Sequence, residues 1–277
     1  MITTIKSLAE QFGDKLEIIP IDTALSIRKD LEKFRNENQL SDKQKWALNS
    51  SEFKGIPANT LSIIIMAIPF SIKANIIFVH KGDEYRVGKT VKKTMGKSRE
   101  YIMNALSKAG YMAKVLTRLP MKRLAVQSSL AAYGRNNLTY VDDMGSGLSL
   151  AAIATGLPSE EIFWREPVVL KECDSCDICL NICLSGAINL GKFHIDSHKC
   201  KTCWKCMTRC PINAAKKVVD ICFNEDETKK IINNELCQNI SDELKMKIDI
   251  VGIDPQKPLP KYLQKLFEKY KIYTDSN

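Results

Sequence analysis

Eight of the ten cysteines fall into two runs with the same spacing. The first cysteine run is Cys173, Cys176, Cys179 and Cys183, and the second cysteine run is Cys200, Cys203, Cys206 and Cys210. Each follows C-x2-C-x2-C-x3-C, a spacing with which bacterial proteins hold [4Fe–4S] clusters through thiolates. The two runs therefore predict two such clusters and a role in electron transfer.

In a two-cluster bacterial ferredoxin, the fourth cysteine of each run binds the cluster of the other run. The pattern accordingly assigns Cys173, Cys176, Cys179 and Cys210 to one cluster, and Cys200, Cys203, Cys206 and Cys183 to the other. Pro211 follows Cys210 as the pattern expects, whereas Leu184 follows Cys183 where proline is usual. Proline shapes the turn and binds no iron, so the assignment does not depend on it.

Zinc sites and disulfides are the two alternatives for closely spaced cysteines. Zinc is usually held by paired C-x-x-C motifs or by cysteine together with histidine. Disulfides need an oxidising compartment, and the N-terminal MITTIKSLAEQFGDK has no basic segment followed by an apolar one, as a secretory signal would. The spacing favours clusters over both alternatives, and Cys222 and Cys237, outside the runs, are expected to be structural thiols.

The chain of 277 residues is 44% hydrophobic, which suits one large domain or two modest ones with a buried core. Its longest apolar stretch, residues 61–70, is too short to cross a bilayer, which takes about 20 residues. We therefore expect a cytoplasmic protein that does not enter a membrane and keeps its thiols reduced.

The net charge of +9 is concentrated in one stretch. Residues 81–123 contain twelve lysines and arginines against three acidic residues. Such a stretch can attract phosphates, an acidic redox partner or nucleic acid. A solvated helical face in a lysine-rich protein is the simpler interpretation.

The hydrophobic pattern upstream of the cysteines alternates between strands and helices, which predicts an α/β or α+β fold. The continuous apolar residues 61–70 indicate a strand buried on both faces. The other predicted elements are a helix, a strand at 16–21 and a second helix within 1–35, a strand or extended loop at 76–80, a helix at 90–109, a strand at 111–116, a helix at 120–133 and a strand or loop at 138–144.

Three parts are expected along the chain: an α/β domain at residues 1–165, a two-cluster ferredoxin domain at 166–215 and a helical tail at 216–277. Alternation around Gly191 predicts a small hairpin between the cysteine runs. Residues 258–272 place apolar side chains on one helical face. This helix is expected to pack back on the protein, and partner binding is the alternative.

Four segments, in this order, resemble the epoxyqueuosine reductases and their reductive dehalogenase relatives. They are PANTLSIIIMAIPF (57–70), GDEYR (82–86), LTRLPMKRLAVQSSLAAYGRNNLTY (116–140) and the paired cysteine runs. The resemblance covers roughly residues 15–215. It implies a nitroreductase-like domain that binds cobalamin, followed by a ferredoxin domain that feeds electrons to the cobalt. The corrinoid-binding residues that it implies are Tyr85, Thr117, Gly134, Arg135, Asn136, Asn137 and Leu138.

The sequence departs from these reductases in two places. They carry an aspartate, proposed as a proton donor, where counting back from Pro120 gives Thr117. Threonine cannot act as a general acid near neutral pH. The helical repeats at the C-terminus of those enzymes also have no counterpart in the residues after 212.

The catalytic residues are therefore not assigned. Tyr85, Tyr101, Tyr133 and Tyr140 are candidate proton donors, although a packed tyrosine with a satisfied hydroxyl is the simpler interpretation for each. Beside the second cluster, Trp204 is expected to exclude water, and His194 and His198 to pack against the cluster without binding iron.

The leading hypothesis is a cytoplasmic iron–sulfur oxidoreductase. A low-potential donor, ferredoxin or flavodoxin, would send electrons through both clusters to a corrinoid that reduces a small organic substrate. The first alternative is an electron-transfer or reductive-activation protein without its own catalytic corrinoid. The second is modification of tRNA, as in epoxyqueuosine reductases, which the basic stretch favours and Thr117 disfavours.

Overall fold

The computed structural model describes residues 1–37, 53–92, 96–160, 162–188, 195–196, 198–214, 218–237 and 239–272. The chain forms two units, one from Met1–Phe70 and Ser98–Lys216, the other from Ser71–Lys97 and Lys217–Asn277. The boundary expected after residue 165 thus falls inside unit 1, and the three-part division stays a prediction. No helix within the described residues has the length and apolar character needed to span a membrane.

The described elements mix helices and strands, which confirms the predicted α/β class. The strands are β1 Lys15–Pro20, β2 Ser62–Pro69, β3 Ser71–His80, β4 Asp83–Lys92, β5 Ala113–Leu116, β6 Ala132–Tyr133, β7 Thr139–Tyr140, β8 Leu148–Thr155 and β9 Val218–Phe223. The helices are α1 Ile2–Gln11, α2 Ile21–Glu37, α3 Lys97–Lys108, α4 Met121–Gln127, α5 Ile178–Asn181, α6 Lys205–Thr208, α7 Glu225–Ile232, α8 Asp242–Val251 and α9 Lys261–Lys269.

Unit 1 is built on an antiparallel sheet in the order β1-β2-β8-β5. Every residue of β2 is buried, because the sheet has a hydrophobic core on each face. Ile63 and Ile65 enter the core that includes α2 and α4, whereas Ile64 and Met66 enter the core that includes α1 and α3. Successive side chains of a strand point to opposite faces of the sheet. Because both faces of β2 are covered, nearly all of its residues are apolar, which explains the continuous apolar run in the sequence.

Two predicted helices were wrong in their bounds. The helix expected at 90–109 begins at Lys97, because Thr90 belongs to β4 and pairs with Lys73 of β3. The helix expected at 120–133 ends at Gln127. Ser129 then adopts a left-handed backbone with φ of 66°, which takes the chain out of the helix and into the β6–β7 ribbon.

The cysteine segment is joined to the α/β part of unit 1 through the backbone. Tyr133 donates to the Val168 carbonyl at 2.9 Å and accepts from the Leu170 N–H at 2.9 Å. The Arg165 guanidinium donates to the carbonyl oxygens of Val126 and Ala131 at 3.3 and 3.1 Å. These bonds fix residues 165–170 just before the first cysteine run.

Unit 2 is a three-stranded sheet, β4-β3-β9, with α7, α8 and α9. Strand β3 pairs antiparallel with β4 and parallel with β9. In its core Phe78 stacks on Phe223 and meets Phe267 edge to face, with ring centroids 5.0 and 5.5 Å apart. Residues 216–277 thus contain a strand as well as the expected helices, and the helix predicted at 258–272 is α9, packed in the core of its own unit.

Candidate iron–sulfur site

A cavity of about 50 Å³ in unit 1 brings cysteines of both runs together. Cys173, Cys176 and Cys179 of the first cysteine run and Cys210 of the second line it. These four are the predicted ligands of the first cluster. Arg135, Asn136, Tyr140 and Glu172 are the other polar residues of its wall.

The pKa shifts of the thiols reflect how closely these cysteines lie. Burial raises the pKa of Cys173, and the neighbouring Cys210 and Cys176 raise it further, while a hydrogen bond from the Arg135 backbone and the charge of Arg135 oppose the rise. Burial, Cys173 and Cys176 raise the pKa of Cys179 to about 11. Four thiolates this close repel one another, and a bound cation relieves that repulsion.

Cysteines of the second predicted set also influence one another's pKa. Burial raises the pKa of Cys206, and the charges of Cys183, Cys203 and Cys200 raise it further. Cys183 has a lowered pKa: burial opposes the shift, but the Ser185 hydroxyl and nearby backbone N–H groups stabilise its thiolate. Cys203 is exposed, whereas the other seven cysteines of the two runs are partly buried. The assignment of each cysteine to a cluster stays a prediction.

All ten cysteines are free thiols. Within the described residues, no three Cys, His, Asp or Glu side chains are arranged to hold a single metal ion. The ligands of a [4Fe–4S] cluster bind four different iron atoms, so they do not converge on one point. The cysteine runs, gathered in this way, have the ligand chemistry of an iron–sulfur protein.

Arg135 binds to the first cysteine run through hydrogen bonds and an ion pair. Its guanidinium donates to the Cys176 carbonyl at 3.2 Å and to the Asp174 carbonyl at 3.4 Å, and it forms an ion pair with the Asp177 carboxylate. Only 15% of its side chain is exposed. The polar group that the resemblance assigns to a corrinoid is therefore engaged with the loop that carries the cysteines.

Asn136 forms a hydrogen bond to the second cysteine run. It is buried, and its amide group donates to the Tyr140 hydroxyl at 2.8 Å and to the Cys206 carbonyl at 3.3 Å. Its carbonyl oxygen accepts from the Leu138 N–H at 3.2 Å. Gly134 is needed beside it, because a Cβ atom there would lie 2.4 Å from a ring carbon of Tyr140.

A further residue with the same role, Asn213, was missed by the sequence reasoning. Its carboxamide connects Ser146, in the turn before β8, to the Met207 carbonyl in the second cysteine run. A signal was present in the sequence, since Gly145 and Gly147 flank Ser146 and glycines mark close backbone approach. Gly145 has φ of 68°, and a Cβ atom there would lie 2.2 Å from Asn213 Oδ1.

The other residues expected to bind a corrinoid do not line the cysteine cavity. Thr117 is exposed just after β5, and Asn137 and Leu138 are half-buried in the turn before β7. Lys122 Nζ donates to the Asn137 carbonyl at 3.1 Å. Tyr85 belongs to unit 2, where its ring lies 5.2 Å from that of Tyr270.

Among the candidate proton donors, Tyr140 alone lines the cysteine cavity. Burial raises its pKa, and a hydrogen bond with Cys210 adds to the rise while the bond from Asn136 opposes it. Tyr133 has a pKa raised by burial, and Tyr101 packs its ring 5.3 Å from Phe12. A neutral Tyr140 therefore packs beside the predicted first cluster.

The surroundings of the second cysteine run are more open than expected. Trp204 is 55% exposed and Leu184 is 86% exposed. His198 is also exposed, and His194 lies outside the described residues, as do most of the residues of the predicted hairpin. Ile188 and Ile195, which flank the hairpin, form an antiparallel bridge.

No protein-family model matches the chain. Over 61 residues it is 43% identical to the pyruvate synthase subunit PorD of Methanocaldococcus jannaschii, a match that covers 20% of this chain and 71% of that subunit. Over those 61 residues the chain belongs to the family of that subunit. The larger part of the chain lies outside this match.

Three solved structures with a similar fold are epoxyqueuosine reductases. For the Bacillus subtilis enzyme the TM-score is 0.54 with 17% identity, covering 78% of this chain and 67% of that one. For the Streptococcus thermophilus enzyme the values are 0.51 and 12%, covering 98% and 99%. A complex of this reductase with an epoxyqueuosine-modified tRNA-Tyr stem loop gives 0.52 and 18%, covering 99% and 77%. The chain has the fold of the epoxyqueuosine reductases, as the sequence resemblance predicted.

Proposed function

We propose that the protein is an iron–sulfur reductase with two [4Fe–4S] clusters and a corrinoid, acting on a small organic substrate. The observation that carries this proposal is the cavity in which Cys173, Cys176, Cys179 and Cys210 meet Asn136 and Tyr140. Thiolates are the ligands that [4Fe–4S] clusters take, so the donor set fits. The cavity wall also includes the turn of the α/β part to which the resemblance assigns the corrinoid.

In this proposal the residues of the turn at 134–140 keep the two cysteine runs in position. Arg135 and Asn136 bond to the two cysteine runs, and Tyr140 covers the cavity with a buried ring. Fixed loops and limited water access are how proteins tune a cluster's reduction potential. The turn thereby connects the predicted electron relay to the domain that would hold the substrate.

The fit to a corrinoid is partial. Arg135 and Asn136 direct their polar groups to the cysteine runs, and Gly134 is packed against Tyr140. Of the other residues assigned to it, Thr117, Asn137 and Leu138 are exposed or half-buried in unit 1, and Tyr85 belongs to unit 2. A bound corrinoid would supply a reducing cobalt centre, chemistry that no side chain offers.

Anaerobic reconstitution with iron, sulfide and hydroxocobalamin tests the proposal. The expected product contains about eight iron atoms, from two four-iron clusters, and one corrinoid per chain, measured by iron assay and visible spectra. Thr117→Trp should reduce corrinoid uptake at unchanged iron content. Thr3→Trp, at an exposed position of α1, is the matched control. Full iron loading without corrinoid uptake would contradict the corrinoid part.

That result would favour a second candidate function, an electron-transfer or reductive-activation protein without its own corrinoid. The bonding of Arg135 and Asn136 to the cysteine runs supports it, as does Thr117 in place of an acid. Such a protein, once reduced, should pass electrons to a separate corrinoid protein and turn over no small molecule.

A third candidate function is tRNA modification. It is supported by the basic stretch 81–123 and by similarity to a reductase solved with a tRNA stem loop. Binding of a tRNA stem loop that persists at moderate salt would favour it, since non-specific contacts to phosphates weaken steeply with salt. In all three cases the proposed setting is the cytoplasm, with a low-potential ferredoxin or flavodoxin as donor.

A further inference from the structure

The two cysteine runs carry opposite charge. The charged residues at 171–183 are Lys171, Glu172, Asp174 and Asp177, a net charge of −2. Those at 198–210 are Lys199, Lys201, Lys205 and Arg209, a net charge of +4 with histidine neutral. All four of these basic residues are exposed. The surface at the second cysteine run is therefore basic, while the first has acidic residues and Arg135 bound to one of them.

Two exposed apolar side chains follow cysteines of the predicted second cluster directly in the sequence. Trp204 is 55% and Leu184 86% exposed. Trp204 follows the exposed Cys203, and Leu184 follows Cys183, whose charge acts on Cys206. The two apolar side chains thus adjoin ligands of the same predicted cluster. We call Leu184, Lys201, Trp204, Lys205 and Arg209 the basic patch.

We propose that the basic patch docks an acidic ferredoxin and is the place where electrons reach the second cluster. This inference rests on the proposed function. One electron leaves the reduced ferredoxin, whose own cluster is oxidised, and reduces the cluster of Cys183, Cys200, Cys203 and Cys206. No bond forms or breaks and no proton moves.

Three observations support this occupant. The exposed basic residues of the second cysteine run are complementary to an acidic carrier, and such complementarity speeds association. An exposed tryptophan among charged residues is typical of the anchor of a protein interface. The exposed Cys203 brings the predicted cluster to the surface, which a carrier that docks by a small, transient interface requires. Nucleic acid would also meet the lysines, but it has no need of a redox centre at the contact.

The test uses the full chain with reconstituted clusters and an acidic [2Fe–2S] ferredoxin as the probe. Titration calorimetry gives its affinity, and stopped-flow absorbance gives the rate of electron transfer from its reduced form. The variant Lys201→Glu/Lys205→Glu should weaken binding and slow the second-order rate by about tenfold or more at low salt, since charge pairs at an interface act mainly on association. Trp204→Ala should weaken binding at all salt concentrations.

Lys171→Glu is the matched control, because it reverses one exposed charge beside the first cysteine run. It should leave ferredoxin affinity within about twofold, since that lysine is outside the basic patch. Iron content and reduction by dithionite should be unchanged in every variant, and these two measurements test the proposed function separately from the docking site.

Wild-type affinity in the double variant, or equal weakening by Lys171→Glu, would overturn the proposal. So would a basic patch whose variants lose affinity for a tRNA stem loop but keep it for ferredoxin. If iron fails to load, the proposed function fails, whereas calorimetry with the same ferredoxin still reports on the docking surface.

Discussion

Asn213 and Ser146 lie 67 positions apart in the sequence and are joined by a hydrogen bond of 2.6 Å, from the Ser146 backbone N–H to the carboxamide oxygen of Asn213. The amide nitrogen of Asn213 donates at 2.6 Å to the Met207 carbonyl. One side chain therefore couples the turn before β8 to the second cysteine run.

The change Asn213→Ala removes both bonds and leaves partly buried backbone groups unsatisfied. We expect a loss of about 1–3 kcal/mol in the free energy of unfolding, measured by denaturant titration under anaerobic conditions. Iron should also be lost faster to a chelator. Asn233→Ala, at an exposed asparagine whose side chain donates to the exposed Glu235 carboxylate, is the control and should change neither quantity.

Gly134→Ala tests the contact between the turn and Tyr140. The added Cβ atom would come within 2.4 Å of the Tyr140 ring, so the ring or the turn must move. Overpacking of this kind costs about 1–3 kcal/mol, and thermal unfolding measures it. Gly156→Ala meets its nearest neighbour at 3.6 Å and should be tolerated. Equal stability of the two variants would contradict the packing argument.

Single cysteine replacements test which thiols share a cluster. Cys183→Ser should disturb the cluster of Cys200, Cys203 and Cys206, although Cys183 lies closer in sequence to the first set. Cys210→Ser should disturb the cluster of Cys173, Cys176 and Cys179. Each variant should lose up to about four iron atoms, and EPR of the reduced protein should show one altered signal, a different one in each case. The same altered signal in both variants would refute the crossed assignment.

Tyr262 gives unit 2 a pH dependence of its own. Burial raises the pKa of its phenol to about 12, and the hydroxyl donates to the Val251 carbonyl at 3.1 Å. Above pH ~10 the unfolded chain ionises this tyrosine and the folded one does not, so stability falls as the pH rises from about 10 to about 12. Tyr262→Phe should lower stability at neutral pH and flatten that fall, as followed by chemical unfolding at several pH values.

The strands and helices that could be predicted are those whose pattern of apolar residues corresponds to the faces that the fold buries. Strand β2 was clear from the sequence because both of its faces are buried, and α1 and α2 because each has one apolar stripe. Thr90 and Val91 continue a helical spacing, but pairing with β3 outweighs that local preference. No local signal marks such pairing, because it is decided by a strand that precedes it in the chain.

The candidate site also contains residues that the sequence could predict and residues that it could not. The cysteine runs could be found because cluster ligands have a fixed spacing, and the assignment of each cysteine to one of the two clusters stays a prediction. The side chains of Arg135 and Asn136 were expected at a corrinoid, but they bond to the carbonyl groups of Cys176 and Cys206. Asn213 was missed because its partner Ser146 lies 67 positions away in the sequence, and an asparagine two residues after a proline resembles an ordinary turn residue.

The parallel pairing of β3 with β9 has a consequence for how the chain acquires its structure during synthesis. Residues 71–92 pair as a hairpin in the folded unit, and their third strand, Val218–Phe223, is synthesised only after both cysteine runs. An isolated hairpin is marginally stable in water. The edge of β3 that pairs with β9 therefore has no partner strand until residues 218–223 have been synthesised, and unpaired strand edges favour aggregation.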